Sequence, residues 1–479
     1  MQDPHPRSPR PFLVAALVFG VAYAVAALAG LSAQAGALLS VGFVCASIGC
    51  GRSERLGSLS YTLLILGLVC LAMFYPAPLR GFGDFRFVTL IPVLLQLIMF
   101  GVGSQMSVKD FEGVVRTPRA VVIGLAAQFT IMPFIGFALS RAVAFDGAGV
   151  ASALGLAEAG AISAEQATAL SGAIAAGVVL IGCSPSGLAS NVMCFLARGN
   201  LALSVTIAAC ATLMAPVMTP VLVKLLAGTL VEVSVVAMMH DVVRMLVYPI
   251  MAGLLFNSVA TAKPARAVRR EALAFLGLIV VLQVALGLAG GSAGADIARG
   301  IAITAGLVLL AAPAGGAAVR AFTAGGEEAV KRLMAFFSMA AVCTILTVIT
   351  AANRDSLLKI GLVMIGLMLV HNVAGYTIGY WVGRLFRMDE KSCRTIAFEV
   401  GQQNGGLANG LAASLPLDMP VKTLMGIAPA VFGALQNITG SALATWWRGV
   451  PIRDLPEAGA GVSDAASSVV VAEKKGRSA

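Results

Sequence analysis

Two stretches of similar sequence, Gly182-Cys-Ser-Pro-Ser-Gly-Leu-Ala-Ser-Asn191 and Glu399-Val-Gly-Gln-Gln-Asn-Gly-Gly-Leu-Ala-Asn-Gly410, each lie in the middle of a long apolar segment. Both contain Gly-Leu-Ala followed by Ser or Asn. Polar groups in hydrocarbon cost several kcal/mol each unless they are buried in protein or face water. Two interrupted apolar helices at corresponding places in two halves of a chain are typical of a transporter site near the bilayer midplane. The sequence therefore predicts a secondary transporter.

The composition of the chain is that of a membrane protein. Its 479 residues are 58% hydrophobic and 12% charged, with a mean hydropathy of +0.91. Soluble domains carry about 25% charged residues, so most of this chain is expected to lie among membrane lipids. The net charge is +10. In a membrane protein an excess of Lys and Arg marks the cytoplasmic loops, so this charge does not indicate a nucleic-acid partner and we expect none. The eight cysteines lie in apolar segments without a CxxC pair, as reduced hydrophobic residues do.

The fold class predicted from hydropathy is an all-α polytopic membrane protein. A spanning helix needs about 20 apolar residues. The first apolar stretch follows Arg7 and Arg10, and we interpret it as a retained helix rather than a signal peptide. Fourteen spans are predicted, at residues 12–32, 35–50, 59–77, 88–105, 119–142, 168–197, 201–227, 236–259, 271–293, 298–319, 333–352, 357–385, 393–415 and 424–447.

The distribution of Lys and Arg orients these spans. With a cytoplasmic N-terminus, 24 of these residues fall in cytoplasmic segments and 8 in external segments. This bias favours fourteen spans with both termini cytoplasmic, in a multi-pass protein of the cell (inner) membrane. Residues 449–479 are rich in Ala, Ser and Val, and we expect a disordered cytoplasmic tail.

Glu399 is the residue most indicative of function. An acidic residue inside an apolar segment marks an ion or substrate pathway by default. The alternative is a structural ion pair, since Arg394 is only five residues away. Gln402, Gln403 and Asn404 follow on the same stretch, and several oxygen ligands suit a hard cation. One carboxylate with neutral oxygens favours Na⁺ over Ca²⁺.

The first interrupted segment adds oxygen ligands for a cation and a helix N-terminus that favours an anion. Pro185 lacks an N–H group and, with neighbouring glycines, predicts the break. Ser190 and Asn191 supply hydroxyl and amide oxygens. The half-helix that follows the break has an N-terminus that favours an anion, by roughly 0.3–2 kcal/mol. Cation ligands beside an anion cradle predict co-transport of a cation with an organic anion.

Other polar residues leave alternatives open. Gln128 is either a site residue or the source of an interhelical hydrogen bond. Ser204, Thr206 and Thr212 could line the site, but helix packing is equally common for Ser and Thr. His371 is more often a packing residue than a proton relay. Gln436 and Asn437 fall in the middle of the last span and should face the cavity.

Residues 59–448 resemble the bile acid:sodium symporter family. Each matching motif is weak alone, and together they are specific. The motifs are Gly101-Val-Gly-Ser-Gln-Met-Ser-Val-Lys-Asp-Phe111, Gln128 through Pro133, Gly182-Cys-Ser-Pro-Ser-Gly-Leu-Ala-Ser-Asn-Val192, Leu196-Ala-Arg-Gly-Asn-Leu-Ala-Leu-Ser204, Glu399-Val-Gly-Gln-Gln-Asn-Gly405 and Asn437-Ile-Thr-Gly-Ser441.

The resemblance implies a ten-helix transporter core of two inverted repeats, divided into a core and a panel domain. Spans 168–197 and 393–415 would be its two discontinuous, crossing helices. Two Na⁺ sites are implied, one formed by Ser190, Asn191, Ser204 and Glu399, the other by Gln128, Glu399, Gln403 and backbone oxygens near Val400 and Gln402. The substrate-binding residues would be Ser186, Gly187, Leu188, Asn404, Gln436 and Asn437.

The chain departs from the family pattern in two ways. A threonine that helps to ligate the first Na⁺ in the family falls on Ala208 here. Four helices are extra: an N-terminal extension (residues 1–57), which precedes the core (58–448), and an inserted helical pair (271–320). Packing or homo-oligomerisation is the simplest interpretation of these pairs.

Three classes of function follow from these patterns. The first is Na⁺-coupled symport of an organic anion, either bile acid-like or a small carboxylate. The second is a same-fold exporter or antiporter in which Glu399 exchanges protons or transport is uncoupled. The third is a membrane enzyme or a non-transporting sensor. The chain lacks an HExxH motif and a phosphate-binding loop, so we do not expect an enzyme.

Overall fold

The computed structural model describes residues 9–53, 57–106, 117–144, 164–187, 189–261, 263–322 and 326–452. Regular structure in these ranges is helical, apart from a ribbon of β1 (Gly81–Phe82) and β2 (Phe85–Arg86) and a 3₁₀ turn at Phe87–Leu90. The helices of the first half are α1 (Arg10–Leu28), α2 (Ser32–Gly51), α3 (Gly57–Phe74), α4 (Ala77–Arg80), α5 (Ile91–Gly103), α6 (Pro118–Ala144), α7 (Ala164–Gly182), α8 (Ala189–Leu196), α9 (Leu201–Ala227), α10 (Val235–Val242) and α11 (Tyr248–Ala260).

Two π-helical turns, Val243–Val247 and Leu307–Ala311, join α10 to α11 and α13 to α14 without ending the helix. The helices of the second half are α12 (Ala265–Ala289), α13 (Gly294–Gly306), α14 (Ala312–Phe322), α15 (Gly326–Ala352), α16 (Arg354–Leu385), α17 (Glu390–Gly401), α18 (Gly405–Ser414), α19 (Met419–Met425) and α20 (Ile427–Gly449).

The helices agree with a polytopic membrane protein. Within the described ranges, 8 helices are long and apolar enough to cross a membrane, and several shorter helices are also apolar. Every predicted span overlaps a helix of the structure. The all-helical membrane class is therefore confirmed, while the number of crossings and the inverted repeat stay predictions.

Both predicted interruptions are real breaks in a helix. The first separates α7 from α8, and the second separates α17 from α18. Pro185 contributes to the first break because it has no N–H to donate. A Cβ atom on Gly187 would lie 2.7 Å from the carbonyl oxygen of Gln403, so this close approach of two backbones requires glycine.

The buried centre of the fold is α7. Side chains along residues 173–181 are fully buried, and the helix packs against α6, α9, α19 and α20. This explains why residues 173–181 are all apolar or glycine: the neighbouring helices enclose them. The half-helix is thereby fixed in place up to the break.

The additional helices lie at the edges of the fold. α1 packs on α2 and buries no side chain, and α2 packs on α3. The inserted helices α12 to α14 pack mainly on α11. Lys263 links the insertion to α11 by donating hydrogen bonds to Ser258 and Glu271, at 2.8 and 3.1 Å.

The fully buried side chain of Arg394, on α17, joins three helix ends. Its guanidinium donates to Glu390 Oε1 at 2.9 Å and to the carbonyl oxygens of Ala197, Trp447 and Val450 at 3.0, 2.9 and 3.2 Å. These carbonyls lie at the C-terminal ends of α8 and α20, where helices leave acceptors without partners. Arg394 therefore holds α8, α17 and α20 together. These helices carry six of the fourteen predicted site residues: Ser190, Asn191, Glu399, Val400, Gln436 and Asn437.

We predict that Arg394→Met strongly destabilises the protein. Removing the guanidinium takes the 2.9 Å ion pair from buried Glu390, which keeps only Arg384 at 3.7 Å and the Tyr380 hydroxyl. It also removes the donor to three carbonyls, and the combined loss should be about 3–5 kcal/mol. The measurement is the thermal unfolding midpoint of the purified protein in detergent.

The matched control is Arg384→Met. Arg384 approaches the same Glu390 at 3.7 Å, but its side chain is 30% exposed, so its loss should cost no more than about 1 kcal/mol. Equal midpoints for the two variants would contradict the assigned role of Arg394.

Candidate functional site

The two helix breaks contact each other through their backbones. Ser186 and Gln403 form an isolated antiparallel bridge. The N–H of Gly187 donates to the carbonyl oxygen of Gln402 at 3.1 Å, and the N–H of Asn404 donates to that of Pro185 at 2.8 Å. The backbone groups released by one break are thus satisfied by the other. We call this pair of unwound stretches the crossing.

A half-helix begins on each side of the crossing. The Oδ1 atom of Asn404 accepts from the N–H of Leu407 at 2.9 Å and so caps α18. The hydroxyl of Ser190 donates to the carbonyl oxygen of Gly187 at 2.7 Å at the start of α8. The predicted site residue Leu188 lies outside the described residues. Both half-helix N-termini start at the crossing, where their dipoles favour negative charge.

Glu399 lies at the crossing with no exposed surface. Its Oε1 accepts from the Ser204 hydroxyl at 2.5 Å, and the same hydroxyl lies 2.8 Å from Asn191 Oδ1. One hydroxyl has a single proton, so Ser204 cannot donate to both at once. The hydroxyls of Ser186 and Ser190 also lie beside the carboxylate.

The carboxylate of Glu399 has no positive partner among the described residues. Its Oε2 accepts no hydrogen bond, and Arg394 pairs with Glu390 instead, at 2.9 Å. The alternative of an ion pair between Arg394 and Glu399 is therefore wrong. A buried charge without a partner is costly, so this site needs a cation or a proton.

Gln128 and Gln403 form the second group of oxygens. Gln128 Nε2 donates to Gln403 Oε1 at 2.9 Å and to the carbonyl oxygen of Ser184 at 3.1 Å. Gln403 Nε2 donates to the carbonyl oxygen of Val400 at 2.7 Å. The Oε1 atom of Gln128 is left without a donor. Gln128 thus forms an interhelical hydrogen bond and also belongs to the site.

Gln436 fixes the position of the crossing. Its Oε1 accepts from the N–H of Gln403 at 2.8 Å, and its Nε2 donates to the carbonyl oxygen of Gln403 at 3.0 Å. Both ends of the side chain are therefore engaged by backbone. The side chain of Gln402 donates to Tyr376 Oη at 3.2 Å, and its backbone oxygen already accepts from Gly187.

Asn437 presents one unused oxygen. Its Nδ2 donates to the carbonyl oxygen of Gly433 at 2.7 Å, while its Oδ1 has no partner and is buried. Four further buried oxygens at the crossing also lack a donor among the described residues: Gln128 Oε1, Ser186 Oγ, Glu399 Oε2 and Gln402 Oε1. One carboxylate with neutral oxygens is the donor set that a hard monovalent cation requires.

Several supporting residues were missed by sequence reasoning. Asn372 caps the end of α17 by donating to the carbonyl oxygen of Gly401 at 2.7 Å, and Thr439 donates to Asn372 in turn. Tyr376 donates to the carbonyl oxygen of Gln436 at 3.3 Å. The spacing of Asn372 and Tyr376, one helical turn apart on α16, is the only signal that could have found them.

Three polar residues considered from the sequence lie outside the site. Thr206 and Thr212 each donate to a carbonyl oxygen four residues back in α9, at 2.8 Å. His371 Nε2 lies 3.0 Å from the Met132 carbonyl oxygen, and its ring meets Phe432 edge-on. These contacts favour a packing role for His371 over a proton relay.

Comparison with known proteins shows which family the sequence is similar to. The sequence model of the Sodium Bile acid symporter family matches residues 92–294. The chain is 31% identical to the uncharacterized sodium-dependent transporter YocS of Bacillus subtilis, over 74% of this chain and 82% of that protein.

More distant relatives carry similar names. The ileal sodium/bile acid cotransporter of Homo sapiens is 26% identical over 67% of this chain and 68% of its own length. The probable sodium/metabolite cotransporter BASS2 of Oryza sativa is 27% identical over 76% of this chain and 66% of its own length. The family and these relatives are transporters rather than enzymes. The resemblance inferred from the motifs is confirmed, and the chain belongs to the sodium bile acid symporter family.

Proposed function

We propose that this protein is a secondary active transporter that moves an organic anion together with Na⁺ by alternating access. The observation that carries the proposal is the buried carboxylate of Glu399, which lacks a positive partner among the described residues. It lies where two half-helix N-termini also begin. A cation bound at Glu399 would offset its charge and add positive potential for an anion at the same crossing.

The cation is assigned to two overlapping sites. The first comprises Ser190, Asn191, Ser204 and Glu399. The Ser204 hydroxyl contacts both Asn191 and Glu399, and Ser190 lies beside Glu399. The second comprises Gln128, Val400, Gln402, Gln403 and again Glu399. In the second site the Val400 oxygen now accepts from Gln403, so Na⁺ binding would exchange that hydrogen bond for a metal contact.

The anion is assigned to the half-helix N-termini. Ser186, Gly187 and Leu188 precede α8, and Asn404 caps α18. The buried Asn437 oxygen that has no donor would accept from a hydroxyl or N–H of the substrate rather than contact its charge. Gln436 contributes by fixing Gln403, since both ends of its amide contact the backbone there. The anionic group of the substrate would be held by the helix dipoles and by N–H groups in the first turns of α8 and α18 that do not already donate at the crossing.

A proton-coupled mechanism is the second candidate. The Ser204 hydroxyl lies 2.5 Å from Glu399 Oε1, a contact that also forms with a protonated carboxyl group. A proton on Oε2 would remove the uncompensated charge as effectively as Na⁺. Cation selectivity separates the two mechanisms.

We expect NaCl to raise the thermal midpoint of the purified protein, whereas KCl and choline chloride do not. Na⁺ at ten times its dissociation constant stabilises the folded state by about 1.4 kcal/mol. Glu399→Gln removes the charge and should abolish the Na⁺ response. Gln403→Leu should weaken the response.

The matched control for this experiment is Gln283→Leu. Gln283 is a buried glutamine of the inserted pair that donates to Thr304 at 3.2 Å, far from the assigned cation ligands in sequence. Its replacement should leave the Na⁺ response intact. A response equal for all three salts, or one retained in Glu399→Gln, would reject Na⁺ coupling at this site. A Glu399-dependent response to pH instead would favour the proton.

The proposed topology has fourteen crossings with both termini cytoplasmic, in the cell (inner) membrane. Ten crossings would form two inverted repeats whose core rocks against a panel of α3, α5, α11 and α15. The distribution of Lys and Arg supports this orientation. The edge positions of α1, α2 and α12 to α14 agree with two added helical pairs, whose role in packing or oligomerisation is part of the proposal.

Reporter fusions test this topology. Alkaline phosphatase is active only outside the cytoplasm, and we expect activity after Leu230 and after Ser292. Green fluorescent protein fluoresces when fused on the cytoplasmic side, which should hold after Phe322 and after Ile452. Phosphatase activity after Phe322 would show an odd number of preceding crossings and overturn the fourteen-span arrangement.

A further inference from the structure

A cavity of about 250 Å³ lies apart from the crossing. Its walls come from the 3₁₀ turn and the beginning of α5, the ends of α15 and α18, and α19 with Gly426, which follows it. Asn409 and Ala413 of α18 line it, and they lie one and two helical turns beyond the start of that helix at the crossing. The proposed topology places this cavity on the external side.

Lys422 is the one charged side chain among the described residues that line the cavity. It makes no ion pair with any residue in the described ranges. By contrast, Arg80 and Arg354, near the same end of α15, both pair with Asp355 at 2.8 Å. These two guanidinium groups hold the pKa of Asp355 below its usual range. Lys422 thus supplies the uncompensated positive charge of the cavity.

Two amide side chains in the wall have unused oxygens. Asn353 Nδ2 donates to the carbonyl oxygen of Ile349 at 3.0 Å, and Asn409 Nδ2 donates to that of Gly405 at 2.8 Å. The Oδ1 atom of each is buried and accepts no hydrogen bond among the described residues. A Cβ on Gly426 would come within 3.3 Å of Asn409 Oδ1, so glycine leaves room there. A ligand or water could donate the hydrogen bonds that these two oxygens lack.

The remaining walls are mostly apolar, and the space is small. Val88, Ile91, Pro92 and Ile349 contribute aliphatic surface. A volume of about 250 Å³ is below the roughly 300–1,000 Å³ typical of sites for drug-sized ligands. This volume favours a compact aliphatic molecule over a four-ring steroid.

We propose that this cavity binds a small aliphatic carboxylate that carries a hydroxyl or N–H donor. Lys422 is the counter-ion. The donor has a single proton to give, which is assigned to Asn409 Oδ1, and Asn353 lines the facing wall. The inference rests on the proposed function, because the occupant is the transported anion held before it reaches the crossing. Asn353 belongs to α15 whereas Lys422 and Asn409 belong to the opposite wall, so the ligand would join helices that the mechanism moves past one another.

The test uses a thiol introduced by Ala413→Cys in the purified protein with NaCl. A charged methanethiosulfonate modifies this thiol. Wild-type protein treated with the same reagent gives the background from the native cysteines. The competing probes are 2-hydroxyisovalerate, isovalerate without the hydroxyl, 2-hydroxyisovaleramide without the charge, and cholate.

We expect 2-hydroxyisovalerate to slow the modification in a saturable manner. Isovalerate should reach half-protection only at a concentration about tenfold higher than the hydroxy acid, because one hydrogen bond is lost. The hydroxy acid should need the same tenfold increase when Asn409→Leu is combined with Ala413→Cys. The neutral amide and cholate should give no protection. Lys422→Gln should abolish protection by the hydroxy acid, whereas the control Lys224→Gln, a lysine outside the cavity, should not.

Absence of protection by the hydroxy acid, or equal protection in Lys422→Gln, would overturn the proposal. Stabilisation of the unaltered chain by 2-hydroxyisovalerate is a second readout if Ala413→Cys fails to fold. We expect the Na⁺ response to depend on Glu399 and not on Lys422. The hypothesis of Na⁺ coupling and the hypothesis of the cavity site can therefore be rejected independently. Na⁺ stabilisation without protection rejects the cavity site alone, and protection without Na⁺ stabilisation rejects the cation coupling alone.

Discussion

Inside a membrane, every backbone N–H and C=O that leaves a helix needs another partner, because lipid offers none. The two unwound stretches of this protein satisfy that constraint with each other. The bridge between Ser186 and Gln403, with the flanking hydrogen bonds of Gly187 and Asn404, replaces the helical bonds that both segments lose. Gln436 and Asn372 complete the pairing from neighbouring helices. The ends of four half-helices are thereby held together at one place.

This arrangement also explains why charge is tolerated at the centre of the molecule. Glu399 sits just before one break, where the hydroxyls of Ser186, Ser190 and Ser204 lie beside its carboxylate. Within the described residues no positive side chain pairs with it, and several buried oxygens nearby accept no hydrogen bond. In the proposed mechanism, a cation would balance the charge of the carboxylate and contact these oxygens. The half-helix N-termini would then favour an anion nearby, and the two ligands would stabilise each other electrostatically.

The sequence predicted much of this arrangement, and its limits are physical. Pro185 and the surrounding glycines located one break, and the polar run after Glu399 located the other. The sequence could not decide whether Arg394 pairs with Glu399, because that depends on which side of α17 each residue faces. Arg394 and Glu390 are four residues apart and so share a helix face, whereas Arg394 and Glu399 do not.

Roles that depend on contacts between distant helices were also out of reach. Gln436 was expected to face a cavity, but both ends of its amide contact the backbone of Gln403. Thr206 and Thr212 lie near Ser204 in sequence, yet only Ser204 points at Glu399. Hydropathy locates a helix in the membrane without fixing its rotation. The side that a polar residue presents emerges only from packing.

Under the proposed mechanism, the guanidinium of Arg394 would bear on the fidelity of coupling. It belongs to α17 and donates to carbonyl oxygens at the ends of α8 and α20, and these three helices bear Asn191, Asn437 and Glu399. Helices joined in this way would move together, so the proposed cation ligands would not shift without the proposed anion ligand. Slippage, in which an ion crosses without its co-substrate, would require the three helices to separate. A buried side chain outside the proposed ligand set would thus oppose leakage.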